Sequence, residues 1–115
     1  MNSFRLALVL SALGSPVLAQ DLSGAEIATT IAGKTIMGDM LDGEGYAEFY
    51  EANGTIRGDG YTGAWTIEGN TLCFAYGGEA AGCFGIRLTG DTVAWIVDGE
   101  VTGTGTIVEG NISGW

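Results

Sequence analysis

The chain has 115 residues, with four Lys or Arg against 14 Asp or Glu, two cysteines and no histidine. A formal net charge of −10 repels nucleic acid and anionic lipid surfaces. The missing histidine removes the commonest general base and metal ligand, and with it any Ser-His-Asp triad.

The N-terminus reads as an export signal. Arg5 precedes the apolar run LALVLSALG, Pro16 breaks it, and Val17 and Ala19 put small residues at the −3 and −1 positions of a cleavage site. A signal peptide over residues 1–19 is expected, with cleavage after Ala19, leaving a single small β-domain over 20–115. The apolar run is too short to span a membrane, which takes about 20 apolar residues, and no later segment is longer. The expected location is therefore periplasmic or secreted, with no membrane span. In the remaining chain only Lys34, Arg57 and Arg87 oppose all 14 acids. That balance favours solubility and, for any protein partner, a basic one.

Leu22-Ser23-Gly24-Ala25-Glu26-Ile27 carries a helix start. Ser23 and Glu26 stand at capping-box spacing, and Leu22 and Ile27 at the spacing of a hydrophobic staple. Gly33 can end the helix in a left-handed conformation. A helix over about 23–32 is expected.

After Lys34 the pattern changes. KTIMGD, GYAEFY, TIRG, GYTGAWTI, TLCFAY, CFGIRL, TVAWIV and VTGTGTIV are rich in Thr, Ile, Val and aromatics, and turn signals such as Asp-Gly and Asn-Gly separate them. About eight antiparallel strands in a meander are expected, as a small barrel or a strongly curved sheet. Tyr61, Trp65 and Ile67 share one strand face. Leu72, Phe74 and Tyr76 share another, with Cys73 opposite.

Two cysteines without histidine make a poor zinc site, and their spacing is not C-x-x-C. In an oxidising compartment Cys73 and Cys83 form a disulfide. Placed opposite each other across a hairpin, they set Leu72 against Phe84, so the staple and the hydrophobic register agree. Gly63, Gly85, Gly103 and Gly105 fall inside strands, where curvature is the expected use and room for a ligand the alternative.

No catalytic set stands out. Asp39, Asp42 and Glu44 read as a solvated hairpin loop. An EF-hand counted from Asp39 fails at its third position, Leu41. Arg57-Gly58-Asp59 reads as a turn before Tyr61. No enzyme, cofactor or metal site is expected. Two groups of residues remain. The turn acids Asp39, Asp42, Glu44, Asp98 and Glu100 form a candidate partner surface. The aromatics Tyr61, Trp65, Phe74, Tyr76 and Trp95 form either core or a ligand pocket.

The order LSGAEI, AGKT, EANGTIRGDGYTGAWTIEGNTLCFAYGG, a second cysteine and RLTGDTVAW resembles a group of short exported alphaproteobacterial proteins of unknown function. Their pattern is an L-S-x-x-E helix, a G-x-W followed by G-x-x-L-C, and a second cysteine about ten residues on. The resemblance implies a periplasmic address and a small β-domain, and no activity. The expected role is a non-catalytic binding or envelope-associated module. The alternatives are an inhibitor of a cationic enzyme, such as lysozyme or a secreted protease, and a small-molecule carrier.

Overall fold

A computed structural model describes residues 18–115. The expected leader, apart from Leu18 and Ala19, lies outside the described residues. The chain runs through a short strand β1 (Gln20–Asp21), helix α1 (Gly24–Ile31) and eight further strands: β2 (Lys34–Met40), β3 (Gly45–Tyr50), β4 (Thr55–Gly58), β5 (Tyr61–Glu68), β6 (Thr71–Tyr76), β7 (Glu79–Thr89), β8 (Thr92–Val97) and β9 (Glu100–Glu109).

Strands β2 to β9 close into an antiparallel barrel. Consecutive strands pair in order from β2 to β9, and β9 pairs with β2, with Lys34 opposite Glu109 and Gly38 opposite Gly105. The sheet is thus a closed barrel rather than an open curved one, and closure removes the sheet edges. The strand β1, not expected from the sequence, pairs Gln20 with Leu88 and Asp21 with Arg87 on β7. It pairs with the part of β7 that lies beyond that strand's β6 partners.

The hairpins follow their turn residues. Asp98 and Gly99 both adopt positive φ, 52° and 79°, the backbone of a two-residue hairpin turn that Asp-Gly favours. Strand β7 begins at Glu79 rather than at Cys83, because Gly77 and Gly78 (φ 62° and 82°) make an equally tight turn. A register shift between Phe74 and Ala75 then brings Cys73 opposite Cys83 and Leu72 opposite Phe84. Cys73 and Cys83 are disulfide-bonded, with Cα atoms 4.0 Å apart.

Helix α1 closes one end of the barrel. Ser23 Oγ accepts from the Glu26 amide, and the Ser23 amide donates to Glu26 Oε1 at 2.8 Å, so the capping box is complete. The staple residues Leu22 and Ile27 are both buried. Ile27 and Ile31 point from the helix into the barrel and have no solvent exposure; each contributes about 1.5–3 kcal/mol by burial. The Gly24 amide donates to Asn70 Oδ1 in the β5–β6 turn. Gly33 (φ 77°) ends the helix and donates to the Tyr50 carbonyl at 2.7 Å.

Between the ends, inward positions alternate with outward ones. Ile36, Tyr50, Ile56, Trp65, Leu72, Ile86, Val93 and Trp95 form the buried core. On β5 the outward Thr62, Ala64, Thr66 and Glu68 are exposed. Arg87 lies on the outer wall, ion-paired with Asp21 at 2.7 Å.

Candidate functional site

Antiparallel alternation puts the turns β2–β3, β4–β5, β6–β7 and β8–β9 at the end opposite α1. That end is open. A cavity of about 930 Å³ enters the barrel there, within the usual size of small-molecule sites. Its lining includes Met40, Tyr46, Glu48, Tyr50, Tyr61, Phe74, Tyr76, Phe84 and Trp95.

The wall is aromatic. Phe74 sits among Phe84, Trp95 and Tyr50, with ring centroids 5.6, 5.8 and 6.2 Å away. Tyr61 and Tyr76 meet edge to face at 5.9 Å, and Phe84 and Trp95 do so at 5.9 Å. Offset and edge-on pairs of this kind add to what area burial alone contributes.

Glu48 stands in the middle of this wall and is only 8% exposed. Three tyrosine hydroxyls donate to its carboxylate: Tyr50 to Oε1 at 2.9 Å, Tyr61 to Oε2 at 2.6 Å and Tyr76 to Oε2 at 2.8 Å. A buried charge must be compensated by hydrogen bonds or a partner charge, and here the tyrosines supply the hydrogen bonds. Burial and the neighbouring carboxylate together push the Tyr50, Tyr61 and Tyr76 hydroxyls far above the ordinary tyrosine range, so they stay protonated as donors. The fourth tyrosine, Tyr46, accepts from Trp95 Nε1 at 2.7 Å and donates to the Thr104 carbonyl at 2.8 Å. Burial raises its pKa as well.

Inward glycines make room for these side chains. A Cβ on Gly63 would lie 2.5 Å from the Tyr76 ring, and one on Gly58 would overlap the Tyr61 ring. A Cβ on Gly105 would overlap the Tyr46 hydroxyl, and one on Gly103 would come within 2.6 Å of Met40 Sδ. At Gly63, Gly103 and Gly105 the glycines therefore make room for the barrel's own residues. Gly85 is different: it faces outward, and the nearest atom to a Cβ there, on Ile96, is 3.6 Å away.

The candidate aromatics separate into three places. Phe74, Tyr76 and Trp95 line the cavity. Tyr61 lines its rim and is 43% exposed. Trp65 belongs to the core below the cavity, where its Nε1 donates to the Glu51 carbonyl at 2.8 Å. The turn acids lie at the open end of the barrel. Asp39, Asp42 and Glu44 are in or beside the β2–β3 turn, Asp98 and Glu100 are in or beside the β8–β9 turn, and of the turn acids at this end Glu44 and Asp59 line the cavity. The Asp42 carboxylate accepts from the Glu44 amide at 2.9 Å and orders that turn.

Sequence reasoning missed Glu48, with Tyr46, Tyr50 and Trp115, and placed Phe84 in the hydrophobic register without giving it a part in the site. The signal was present in GYAEFY: period-two alternation puts Tyr46, Glu48 and Tyr50 on one face, an acid between two aromatics on a barrel interior. Trp115 lines the cavity and also a shallower groove with Arg57, Gly60 and Thr62.

The cysteine sulfurs lie close to the Glu68 carboxylate, but each is bonded to the other and offers no thiolate to a metal. No helix among the described residues is long and apolar enough to cross a membrane. The chain matches no family model, no curated protein and no solved structure.

Proposed function

We propose that this protein is an exported, non-catalytic binding module that holds a small molecule in the open end of its barrel. One observation carries the reading: a cavity of about 930 Å³ with a largely aromatic wall and a single buried, hydrogen-bonded carboxylate. Ligand sites are commonly concave, mostly apolar and fitted with a few placed polar groups. Catalysis is disfavoured because Glu48 is held by three tyrosine donors and no second carboxylate shares that network. The disulfide supports the exported location.

The test is a titration with N-phenyl-1-naphthylamine, an uncharged dye that fluoresces in apolar surroundings. Saturable one-site enhancement by the oxidised protein supports the carrier reading. No enhancement, together with no change in tryptophan fluorescence, removes it.

A second reading draws on the turn acids Asp39, Asp42, Glu44, Asp98 and Glu100, whose turns lie at the open end. A basic protein, such as a cationic enzyme, would dock over that rim, and its association would slow as salt rises. Association that ignores salt counts against this reading.

A further inference from the structure

We propose that the occupant of the cavity is a small organic cation, with an apolar body among the aromatic rings and one ammonium group against Glu48. This rests on reading the cavity as a binding site and adds the charge of its ligand.

Glu48 is more than nine-tenths buried and lines the cavity, yet among the described residues no cation pairs with it. Lys34, Arg57 and Arg87 are engaged elsewhere, with Glu109, Glu51 and Asp21. The tyrosines satisfy its hydrogen bonds but leave its charge without a counter-charge. A carboxylate offers about four acceptor positions. Oε2 takes two hydroxyls and Oε1 takes one, so one position on Oε1 is left for an N–H donor.

The walls favour the same sign. The faces of Phe74, Phe84 and Trp95 carry the negative end of the ring quadrupole, which attracts cations, most strongly at tryptophan. The mouth acids extend a negative field into solvent and raise the local concentration of cations. An anionic ligand, by contrast, would meet Glu48, Glu44 and Asp59 in a cavity lined by no Lys or Arg. A neutral ligand would leave the Glu48 charge buried and unpaired.

The experiment uses the oxidised chain and displacement of N-phenyl-1-naphthylamine by three probes of similar size. These are 2-phenylethylammonium, whose N–H groups can reach the free position on Glu48 Oε1, its uncharged carbon isostere propylbenzene, and phenylacetate. The cation is expected to displace the dye at about tenfold lower concentration than the isostere, and phenylacetate to be the weakest. Glu48→Gln is expected to remove most of the cation's advantage, leaving only what the aromatic faces and the mouth acids contribute, while the dye still binds. The comparison of cation with isostere is made on the unaltered protein, so it decides even where the variant folds poorly. Equal displacement by cation and isostere, or tightest binding of phenylacetate, overturns the cation assignment and leaves the carrier reading intact. Absence of dye binding, together with no change in tryptophan fluorescence on adding any of the three probes, overturns both.

Discussion

Tyr50 donates its hydroxyl to Glu48 Oε1 at 2.9 Å, and the two residues stand two positions apart on the inward face of β3. Tyr50 is 1% exposed, so its hydroxyl is largely cut off from water. Hydrogen bonds to a charged group contribute about 1.5–3 kcal/mol. Tyr50→Phe is expected to lower unfolding stability in urea by about that amount. Tyr61→Phe, at the exposed rim, is expected to cost less than Tyr50→Phe, because water can replace its hydroxyl. Equal costs would mean that water reaches Glu48 from the barrel interior.

Gly63 and Gly85 separate two uses of glycine in a strand. Gly63→Ala sets a methyl 2.5 Å from the Tyr76 ring and 2.9 Å from the Ala75 carbonyl, and overpacking of this kind costs about 1–3 kcal/mol. It should also disturb the Tyr76–Glu48 hydrogen bond. Gly85→Ala meets nothing closer than 3.6 Å and is expected to change stability by no more than about 0.5 kcal/mol. Thermal unfolding of the two variants side by side checks the contrast.

High pH should unfold the protein through its tyrosines. All four have folded pKa values raised above the ordinary value of 10.0. In the unfolded chain they ionise near about pH 10. The stabilising contribution is therefore fully present below that pH. It declines as pH rises further, because the unfolded state loses protons that the folded state keeps. Phenolate absorbance should appear together with loss of near-ultraviolet circular dichroism. Phenolate formation at ordinary tyrosine pH without unfolding would contradict the Glu48 network.

Reduction of Cys73–Cys83 opens a loop with a sequence separation of 10, and a staple of this length contributes about 2–3 kcal/mol. Reduced protein should keep its barrel circular dichroism but unfold at lower urea. An unchanged midpoint would mean that the β6–β7 turn at Gly77 and Gly78 already fixes the register.

Much of the architecture was legible because it is local. Ser23 and Glu26 declare the helix, Asp98-Gly99 declares a hairpin, and Cys73 with Leu72 sets a register through alternation. Barrel closure was not legible, since pairing Lys34 with Glu109 joins residues far apart in sequence. The site was half legible. Phe74, Tyr76 and Trp95 were recognised as inward, but an acidic residue in a strand reads first as solvent-facing. What overrides that expectation is the meeting of Tyr50, Tyr61 and Tyr76 from β3, β5 and β6, which only the tertiary fold brings about. The inward glycines mislead for a similar reason. Gly63 and Gly105 suggest curvature in sequence and prove to lie beneath tyrosines from neighbouring strands.

The central claim is that the open end of the barrel is a ligand cavity, and amide NMR of the labelled protein titrated with N-phenyl-1-naphthylamine tests it most directly. The account predicts saturable shifts centred on Glu48, Phe74, Tyr76, Phe84 and Trp95, with the α1 amides from Gly24 to Ile31 unmoved. Shifts confined to the outer wall or the helix end, or a spectrum unchanged at saturating dye, would contradict it.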